Sequence, residues 1–353
     1  MLKANKHPKR SRKKAYRSSA SVIFSGLFVF NLPWSNMKRL ASLHFPRPQM
    51  AGGKCGPVLN SNLWSTQHMK NILVQFDTDP APSLFDAITA YDTGIDVLLQ
   101  YGGVEPEGVR DLVYGAMFTR GPADLKKTAI FIGGTNVARG EAVLRATVKT
   151  FFDPLRVSVM LDSNGCNTTA TAAVVKIVTS VPVRDQKVVV LAGTGPVGQR
   201  AAALLAKEGA KVMLTSRTME RAQKACTALI ERFGVKAYPA EVSDVSATQK
   251  ILRDASAAVC TGVEGVTLIP EAVWRENSTL RVLADVNAVP PLGVGGSEAG
   301  WDGQEIDGKR FFGALGIGGF KMKVHKRSIA RLFERNDLIL DAEEIMVSAR
   351  ELA

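Results

Sequence analysis

Three glycines in the middle of this 353-residue chain constrain its fold more than any other feature. The apolar segment 186–192 (QKVVVLA) is typical of a buried strand, and Gly193, Gly195 and Gly198 follow it directly. A helical pattern and a second strand come next. In such a unit the first glycine permits a tight turn, the second lets the backbone approach a pyrophosphate, and the third lets the helix pack on the strand. The segment therefore predicts a Rossmann-type domain that binds phosphates at the start of the helix.

The residues after the second strand indicate which dinucleotide this domain binds. An NAD site usually has Asp or Glu at this position, which accepts a hydrogen bond from the ribose 2′-hydroxyl. This chain has Ser216 and Arg217 instead, and a hydroxyl beside a guanidinium suits a 2′-phosphate. We therefore predict NADP as the cofactor. The alternative, in which Arg217 only caps the strand on a solvated face, stays open.

Two further strand ends belong to the same predicted site. Segments 257–262 (AAVCTG) and 282–287 (VLADVN) are apolar and end in small or polar residues. In a doubly wound sheet the carboxyl ends of the strands line the ligand crevice, so we expect these ends near the ribose and nicotinamide. A purely structural loop is an equally open interpretation. The predicted cofactor-binding residues are Gly193, Thr194, Gly195, Pro196, Val197, Gly198, Ser216, Arg217, Thr261, Gly262 and Asn287.

Strands and helices also alternate before the glycine turn. Strands are predicted at 70–76, 96–100, 128–132 and 156–161, and helices at 84–91, 107–115, 137–151 and 163–180. This order predicts an α/β protein with mainly parallel sheets and two lobes, a Rossmann-type NADP-binding domain and a smaller α/β domain. We predict the NADP-binding domain at residues 166–320 and the smaller domain at residues 69–165 with 321–353.

The charge of the chain is distributed unevenly. The net charge is +12, but residues 1–68 contain 12 Lys and Arg and no Asp or Glu, which leaves 33 basic and 33 acidic residues in 69–353. Nucleic-acid binding needs clustered cations, so we expect no nucleic-acid partner for the charge-balanced body. We interpret residues 1–68 as an unfolded extension or a start-site artefact before a natural start at Met69, and expect residues 69–353 to hold the full activity.

Other classes of site are not indicated. The four cysteines are scattered singly and the four histidines form no cluster, so we predict no metal site. No apolar run reaches the roughly 18–20 residues that cross a bilayer, so we expect no membrane partner. We predict a cytoplasmic protein that forms homo-oligomers.

Seven stretches of the chain resemble the bacterial NADP-dependent methylene-tetrahydromethanopterin dehydrogenases. They are QFDTDPAPSLFD (75–86), IFIGGTNVARGE (130–141), MLDSNGCNTTATA (160–172), VVLAGTGPVG (189–198), ADVNAVPPLGVGG (284–296), FGALGIGGFKMKVHK (312–326) and LDAEEI (340–345). The resemblance covers the whole segment from Met69 to the C-terminus. It implies an enzyme of one-carbon (formaldehyde) metabolism that transfers a hydride from 5,10-methylene-tetrahydromethanopterin to NADP⁺, giving the methenyl pterin and NADPH. It also implies that the smaller domain binds the pterin.

The same resemblance suggests catalytic and substrate-binding residues. Lys321 is the first catalytic candidate, because it follows a glycine-rich run (316–319) that we interpret as a flexible segment placing the amine at the cleft between the lobes. Lys323 is the alternative, and a solvated basic patch is the competing interpretation for both. The candidate pterin-binding residues are Asp77, Asp79, Gly134, Thr135, Asp162, Asn164 and Asn167. Helix capping is an open alternative for the acidic and amide residues among them.

Two other functional hypotheses stay open at this point. A methylene-tetrahydrofolate dehydrogenase or a shikimate-type NADP dehydrogenase has the same two-lobe plan, and Ser216-Arg217 does not separate these enzymes. A non-catalytic protein that senses NADP would need the glycine turn but no pterin cleft.

Overall fold

Two parallel sheets organise the part of the chain that the structure describes. The computed structural model describes residues 69–353, together with two short strands, β1 (Val22–Phe24) and β2 (Phe28–Phe30), which pair antiparallel. The rest of the predicted N-terminal extension lies outside the described residues. Among the described residues, no helix is both long and apolar enough to span a membrane.

The first sheet has five parallel strands. In chain order they are β3 (Ile72–Asp77), β4 (Val97–Tyr101), β5 (Thr128–Gly133), β6 (Ser158–Leu161) and β14 (Ile339–Leu340). Their order across the sheet is β14-β6-β5-β3-β4, so the C-terminal part of the chain returns to the first sheet. Every residue of β5 is buried, as expected for a central parallel strand with both faces covered. The connecting helices are α1 (Leu84–Tyr91), α2 (Val109–Met117) and α3 (Val137–Thr150).

The second sheet has seven strands. They are β7 (Lys187–Leu191), β8 (Lys211–Ser216), β9 (Tyr238–Glu241), β10 (Ala255–Cys260), β11 (Val282–Asp285), β12 (Asp302–Ile306) and β13 (Lys309–Phe312). The order is β12-β13-β11-β10-β7-β8-β9, and only the β12–β13 pair is antiparallel. Apart from the edge strand β12, this is the doubly wound Rossmann order, with the chain reversing direction across the sheet between β7 and β10. The connecting helices are α5 (Pro196–Lys207), α6 (Met219–Phe233), α7 (Val245–Leu252) and α8 (Glu271–Glu276). The predicted α/β fold class is confirmed.

Three helices pack where the two sheets meet. They are α4 (Cys166–Val178), α9 (Ala314–Arg331) and α10 (Ala342–Arg350), and one continuous apolar core contains residues of these helices and of both sheets. Ten of the 13 residues of α4 are buried, so this helix is enclosed by protein. The predicted domain boundaries fall at the start of α4 and within α9, and the domain division stays a prediction.

The structure differs from the predicted elements at two points. The predicted helix at 163–180 begins instead with a 3₁₀ turn, Ser163–Gly165, because Asn164 and Gly165 have left-handed φ angles of 53° and 57°. The glycine-rich run 316–319 is not a flexible segment but lies inside α9. A Cβ on Gly316 would overlap the carbonyl oxygen of Trp301, so this glycine allows the helix to pack against the backbone of the preceding segment.

Alanine substitutions within α9 test this reassignment. Gly316→Ala is expected to lower the free energy of unfolding by about 1–3 kcal/mol, because the added methyl group collides with backbone. Gly319→Ala on the same helix meets nothing within 4 Å and is expected to stabilise the protein by about 0.5–1 kcal/mol, since Ala favours a helix over Gly. Urea unfolding of both variants measures the difference. Equal stabilisation by the two changes would contradict the proposed packing of Gly316.

Candidate active site

The glycine turn lies between β7 and α5, and each of its glycines has a different environment. A Cβ on Gly193 would lie 2.9 Å from Cγ1 of Val190, and one on Gly198 would lie 2.6 Å from Oγ1 of Thr261. A Cβ on Gly195 would meet no atom within 4 Å. Gly193 and Gly198 are therefore required by close packing, whereas Gly195 faces open space next to the exposed amides at the start of α5. This arrangement fits the pyrophosphate of a dinucleotide.

The end of β8 supports this turn and presents one free cation. The amide of Gly193 donates to the carbonyl of Thr215 at 2.9 Å, so the glycine turn is fixed to β8. Ser216 is buried, whereas Arg217 is exposed and has no hydrogen bond or ion pair with any residue in 69–353. The uncommitted guanidinium fits a dinucleotide that carries a 2′-phosphate.

The other predicted cofactor-binding residues divide into two groups. Oγ1 of Thr261 donates to the carbonyl of Leu191 at 2.9 Å, and a Cβ on Gly262 would lie 3.3 Å from Cβ of Ala192. Both therefore adjoin the glycine turn. Asn287 instead organises its own loop, because its side chain donates to the carbonyl of Val289 at 3.1 Å and accepts from the amide of Val289 at 3.0 Å.

A second depression lies at the carboxyl ends of β3, β5 and β6. Its volume is about 290 Å³, and it is lined by Asp79, Ser83, Phe85, Asp86, Gly134, Thr135, Asn164, Gly165 and Lys321. We call it the Lys321 cavity. Five of the residues predicted from the sequence therefore line it together, namely Asp79, Gly134, Thr135, Asn164 and Lys321.

Three of the predicted substrate-binding residues do not line the cavity but are buried among other protein groups, namely Asp77, Asp162 and Asn167. The buried carboxylate of Asp77 accepts hydrogen bonds from the amides of Asp79 and Ser83, at 2.9 and 3.0 Å. The buried carboxylate of Asp162 accepts from the amides of Asn167 and Thr168 and from the Thr168 hydroxyl. These side chains hold the loops and the first turn of α4 in place, which is the capping interpretation left open by the sequence.

Lys321 reaches into the cavity from α9. Its Nζ lies 5.1 Å from the centre of the Phe85 ring, a cation–π distance. A Cβ on Gly165 would lie 2.6 Å from the same Nζ, so a side chain at this position would displace the lysine amine from where it lies. Lys323, the alternative candidate, is exposed two positions further along the helix and does not line the cavity.

Carboxyl groups surround this lysine. Burial and the neighbouring carboxylates of Asp162 and Asp77 raise the pKa of Asp86 to about 7, while the Ser83 hydrogen bond and the Lys321 ammonium oppose the shift. Burial also raises the pKa of Asp162 to about 6, although Lys321 and the Thr168 hydrogen bonds lower it in part. Asp86 is thus the group in the cavity whose protonation changes near neutral pH.

His325 lies one helical turn beyond Lys321 and faces the protein interior. Its ring stacks on Phe131 with centroids 5.5 Å apart, and its Nδ1 lies 3.6 Å from Oδ2 of Asp162. Burial and the Lys321 charge lower the pKa of His325 to about 3, so the imidazole is neutral. Burial likewise raises the pKa of the Cys166 thiol to about 12, so this thiol is protonated at neutral pH. Within the described part of the chain, no group of three or more His, Cys, Asp or Glu residues is arranged to hold a metal ion.

Sequence reasoning did not select four residues of the cavity wall: Ser83, Phe85, Asp86 and Gly165. Ser83 and Asp86 have the spacing of a helix cap, and the Ser83 hydroxyl does accept from the amide of Asp86 at 3.2 Å. The PSLFD stretch was therefore a visible signal for the start of a helix. Nothing in the local sequence shows that the Asp86 carboxyl turns toward a lysine 235 positions away.

A doubly wound sheet with this glycine turn, together with a second lobe bearing a charged cavity, defines a nicotinamide-dependent oxidoreductase. The sequence profile described as "Methylene-tetrahydromethanopterin dehydrogenase, N-terminal" matches residues 84–164. Over 286 residues the chain is 48% identical to the "Bifunctional protein MdtA" of Methylorubrum extorquens, covering 80% of this chain and 99% of that protein. The chain belongs to the methylene-tetrahydromethanopterin dehydrogenase family, as its motifs predicted.

The chain is also similar to a second relative and to a solved structure. The NAD(P)-dependent methylenetetrahydromethanopterin dehydrogenase of the same organism is 30% identical over 285 residues, covering 77% of this chain and 95% of that protein. Among solved structures, a shikimate 5-dehydrogenase from Listeria monocytogenes matches with a TM-score of 0.45 at 14% identity, covering 80% of this chain and 96% of that one.

The raised pKa of Asp86 predicts a specific pH dependence of stability. Between the ordinary carboxyl pKa of 3.8 and about 7, the folded protein holds a proton on Asp86 that the unfolded chain has released. The resulting stabilisation is present at low pH and is lost as the pH rises toward 7. Relative to Asp86→Asn, the wild type should therefore lose roughly 2–3 kcal/mol of unfolding free energy between about pH 5 and pH 8. Denaturant unfolding at both pH values measures this loss.

Asp111→Asn, at an exposed position in the first turn of α2, is the control and should follow the wild type. A parallel pH dependence of wild type and Asp86→Asn would contradict the raised pKa.

Proposed function

We propose that this protein oxidises the methylene bridge of 5,10-methylene-tetrahydromethanopterin, with NADP⁺ as the hydride acceptor. The products are the 5,10-methenyl pterin and NADPH, as suits an enzyme of one-carbon metabolism. The observation that carries this proposal is the Lys321 cavity, which sets one ammonium group and one carboxyl with a pKa near 7 at the strand ends of the smaller lobe. The same chain also has an intact glycine turn, as a dinucleotide-dependent enzyme needs.

The residues of the glycine turn are suited to hold the cofactor. Gly193 and Gly198 set the close packing, Gly195 leaves the amides at the start of α5 open to the pyrophosphate, and Arg217 offers its guanidinium to the 2′-phosphate. When bound, the nicotinamide ring supplies a carbon that accepts a hydride.

The carboxyl groups of the Lys321 cavity are suited to recognise a pterin. A carboxylate accepts hydrogen bonds only, and a pterin ring offers an amino group and a ring N–H as donors. Asp86 is therefore the proposed acceptor for this edge of the ring. Asp79 is less available, because its carboxylate accepts from the amide and the hydroxyl of Thr135, at 2.9 and 3.0 Å. Phe85, half exposed in the cavity wall, offers an apolar surface for the ring.

The charges at the site suit the development of positive charge on the substrate. Departure of the hydride leaves a cation delocalised over two pterin nitrogens, which a carboxylate such as Asp86 stabilises. An ammonium close to those nitrogens would oppose the reaction. We therefore assign Lys321 to the binding of a carbonyl oxygen of the pterin, where it orients the ring without facing the reacting carbon.

The remaining features of the protein stay predictions. The domain division at 69–165 with 321–353 and 166–320, the cytoplasmic location, the homo-oligomeric state and the absence of a nucleic-acid partner belong to this group. The two alternative functions, a tetrahydrofolate or shikimate-type dehydrogenase and an NADP-sensing protein, are not favoured, because the matching sequence profile and the relative at 30% identity are both named for methylene-tetrahydromethanopterin dehydrogenases.

A direct assay tests the proposed reaction. Purified protein mixed with methylene-tetrahydromethanopterin and NADP⁺ should form NADPH, followed by its absorbance. Lys321→Ala is expected to lower kcat/KM for the pterin by about 100-fold or more, because the ring loses its orientation, while the Kd for NADP⁺ stays unchanged.

Lys323→Ala is the matched control on the same helix and should retain the wild-type rate. No NADPH with either the methanopterin or the folate carrier would refute the enzymatic function. A loss in Lys323→Ala rather than Lys321→Ala would instead reassign the functional lysine.

Cofactor choice is tested at Arg217. Arg217→Ala should raise the KM for NADP⁺ by about 10-fold or more and leave the KM for NAD⁺ unchanged, since only NADP⁺ carries the 2′-phosphate. Steady-state kinetics with both cofactors measures the ratio. Lys224→Ala, an exposed cation on α6, is the control and should change neither value. Equal effects of Arg217→Ala on the two cofactors would refute the 2′-phosphate contact.

A further inference from the structure

Arg200 is buried in the protein although it carries a permanent charge. It lies on α5, one turn after the helix start, and is only 2% exposed. A guanidinium at such a position must be fully hydrogen-bonded, because an unpaired buried charge is strongly destabilising. Its bonds therefore show what holds the phosphate-binding helix in place.

The three nitrogens of this guanidinium bond in three directions. Nη1 donates to the carbonyl of Pro196, the first residue of α5, at 3.2 Å. Nη2 donates to Glu141 on α3 at 2.9 Å, and Nε donates to the side-chain oxygen of Asn167 on α4. Arg200 thus ties the glycine turn to a helix of the five-stranded sheet and to the helix between the sheets.

A second arginine closes these contacts into a ring. Arg232 on α6 pairs with Glu141 and with Asp341, which lies 3.0 Å away at the N-cap of α10. Asp341 accepts in turn from the side-chain amide of Asn167 at 2.9 Å. We call these five residues the inter-lobe ring. Its two arginines and two carboxylates cancel in charge, which offsets the cost of burying Arg200.

The ring is also linked to Asp162, a buried carboxylate near the Lys321 cavity. The backbone amide of Asn167 donates at 2.9 Å to the carboxylate of Asp162, whose charge acts directly on Lys321 and Asp86. Asn167 therefore contacts Arg200 through its side chain and Asp162 through its backbone, and Asp162 acts on the cavity residues Lys321 and Asp86 through its charge. The key link is the bond between Asn167 and Arg200.

We propose that Arg200 and its partner Asn167 are positioning residues, which fix the phosphate-binding helix relative to the Lys321 cavity and so set the distance over which the hydride is transferred. This inference rests on the proposed function. Hydride transfer requires two rings to be held within a narrow range of distances, and a displacement of about 1 Å can cost about 100-fold in rate. Neither residue needs to touch a substrate to have this effect.

Arg200→Lys tests the proposal, because it keeps the charge but cannot form the three-way fork. The expected result is a fall in kcat of about 10-fold or more, with the KM values for NADP⁺ and for the pterin within about three-fold of wild type. Glu141→Gln, at a partly exposed position, is a second variant that should fold and show a smaller fall in kcat. Hydrogen exchange of the α4 and α5 amides, measured without substrates, should be about 10-fold faster in Arg200→Lys.

Lys207→Met is the matched control, because Lys207 also lies on α5 and pairs with Glu343 on α10, but at the solvent-exposed surface. It should leave both kcat and exchange unchanged. Wild-type kcat and wild-type exchange in Arg200→Lys would overturn the proposal. A rise in the KM for NADP⁺ that accounts for the whole loss would also overturn it, since Arg200 would then only shape the cofactor site. An inactive wild type would refute the proposed function, whereas the exchange data would still decide whether the ring holds α5.

Discussion

The structure depends on the close packing of α4 between two sheets. Helix α4 is enclosed on nearly every side, and Ala170, Ala172 and Ala173 have side chains small enough for α5, α9 and α10 to approach it closely. The first turn of this helix follows Asp162, whose carboxylate accepts from its leading amides. The buried first turn of α4 thus contacts Asp162, which lies near the Lys321 cavity, and Arg200, which follows the glycine turn.

Burial also determines the electrostatics of the cavity. Lys321 is the only cation from residues 69–353 that lines it, and at least two carboxyl groups lie near enough to sense its charge. Because desolvation raises the pKa of Asp86 and Asp162, part of this negative charge is absent below neutral pH. A cavity that holds a cation beside titratable carboxyls is suited to bind a neutral, donor-rich ring and then to stabilise its positively charged product.

Features that depend on residues close together in the sequence are predictable from the sequence, whereas contacts between residues far apart in the sequence are not. The glycine turn and helix α1 follow from local chemistry, since each depends on a strand end, a cap or a turn. The glycine run 316–319 resembles a flexible segment because a local pattern does not show that the Trp301 carbonyl leaves no room for a Cβ on Gly316. The roles of Asp86 and Arg200 are not visible locally for the same reason, since they depend on residues more than 30 positions away: Asp162 and Lys321 for Asp86, and Asn167 and Glu141 for Arg200.

The sequence by itself determined the α/β class, the dinucleotide turn, the family and five of the residues that line the Lys321 cavity, because these features depend on residue type and local order. Only the tertiary structure decided which strand-end carboxylates face the cavity and which serve as caps. It also decided that Lys321 on α9 lines a cavity at the strand ends of the first sheet, and that Arg200 and Asn167 connect α5 with α4. These properties depend on which surfaces become buried against each other, and burial is a property of the assembled fold.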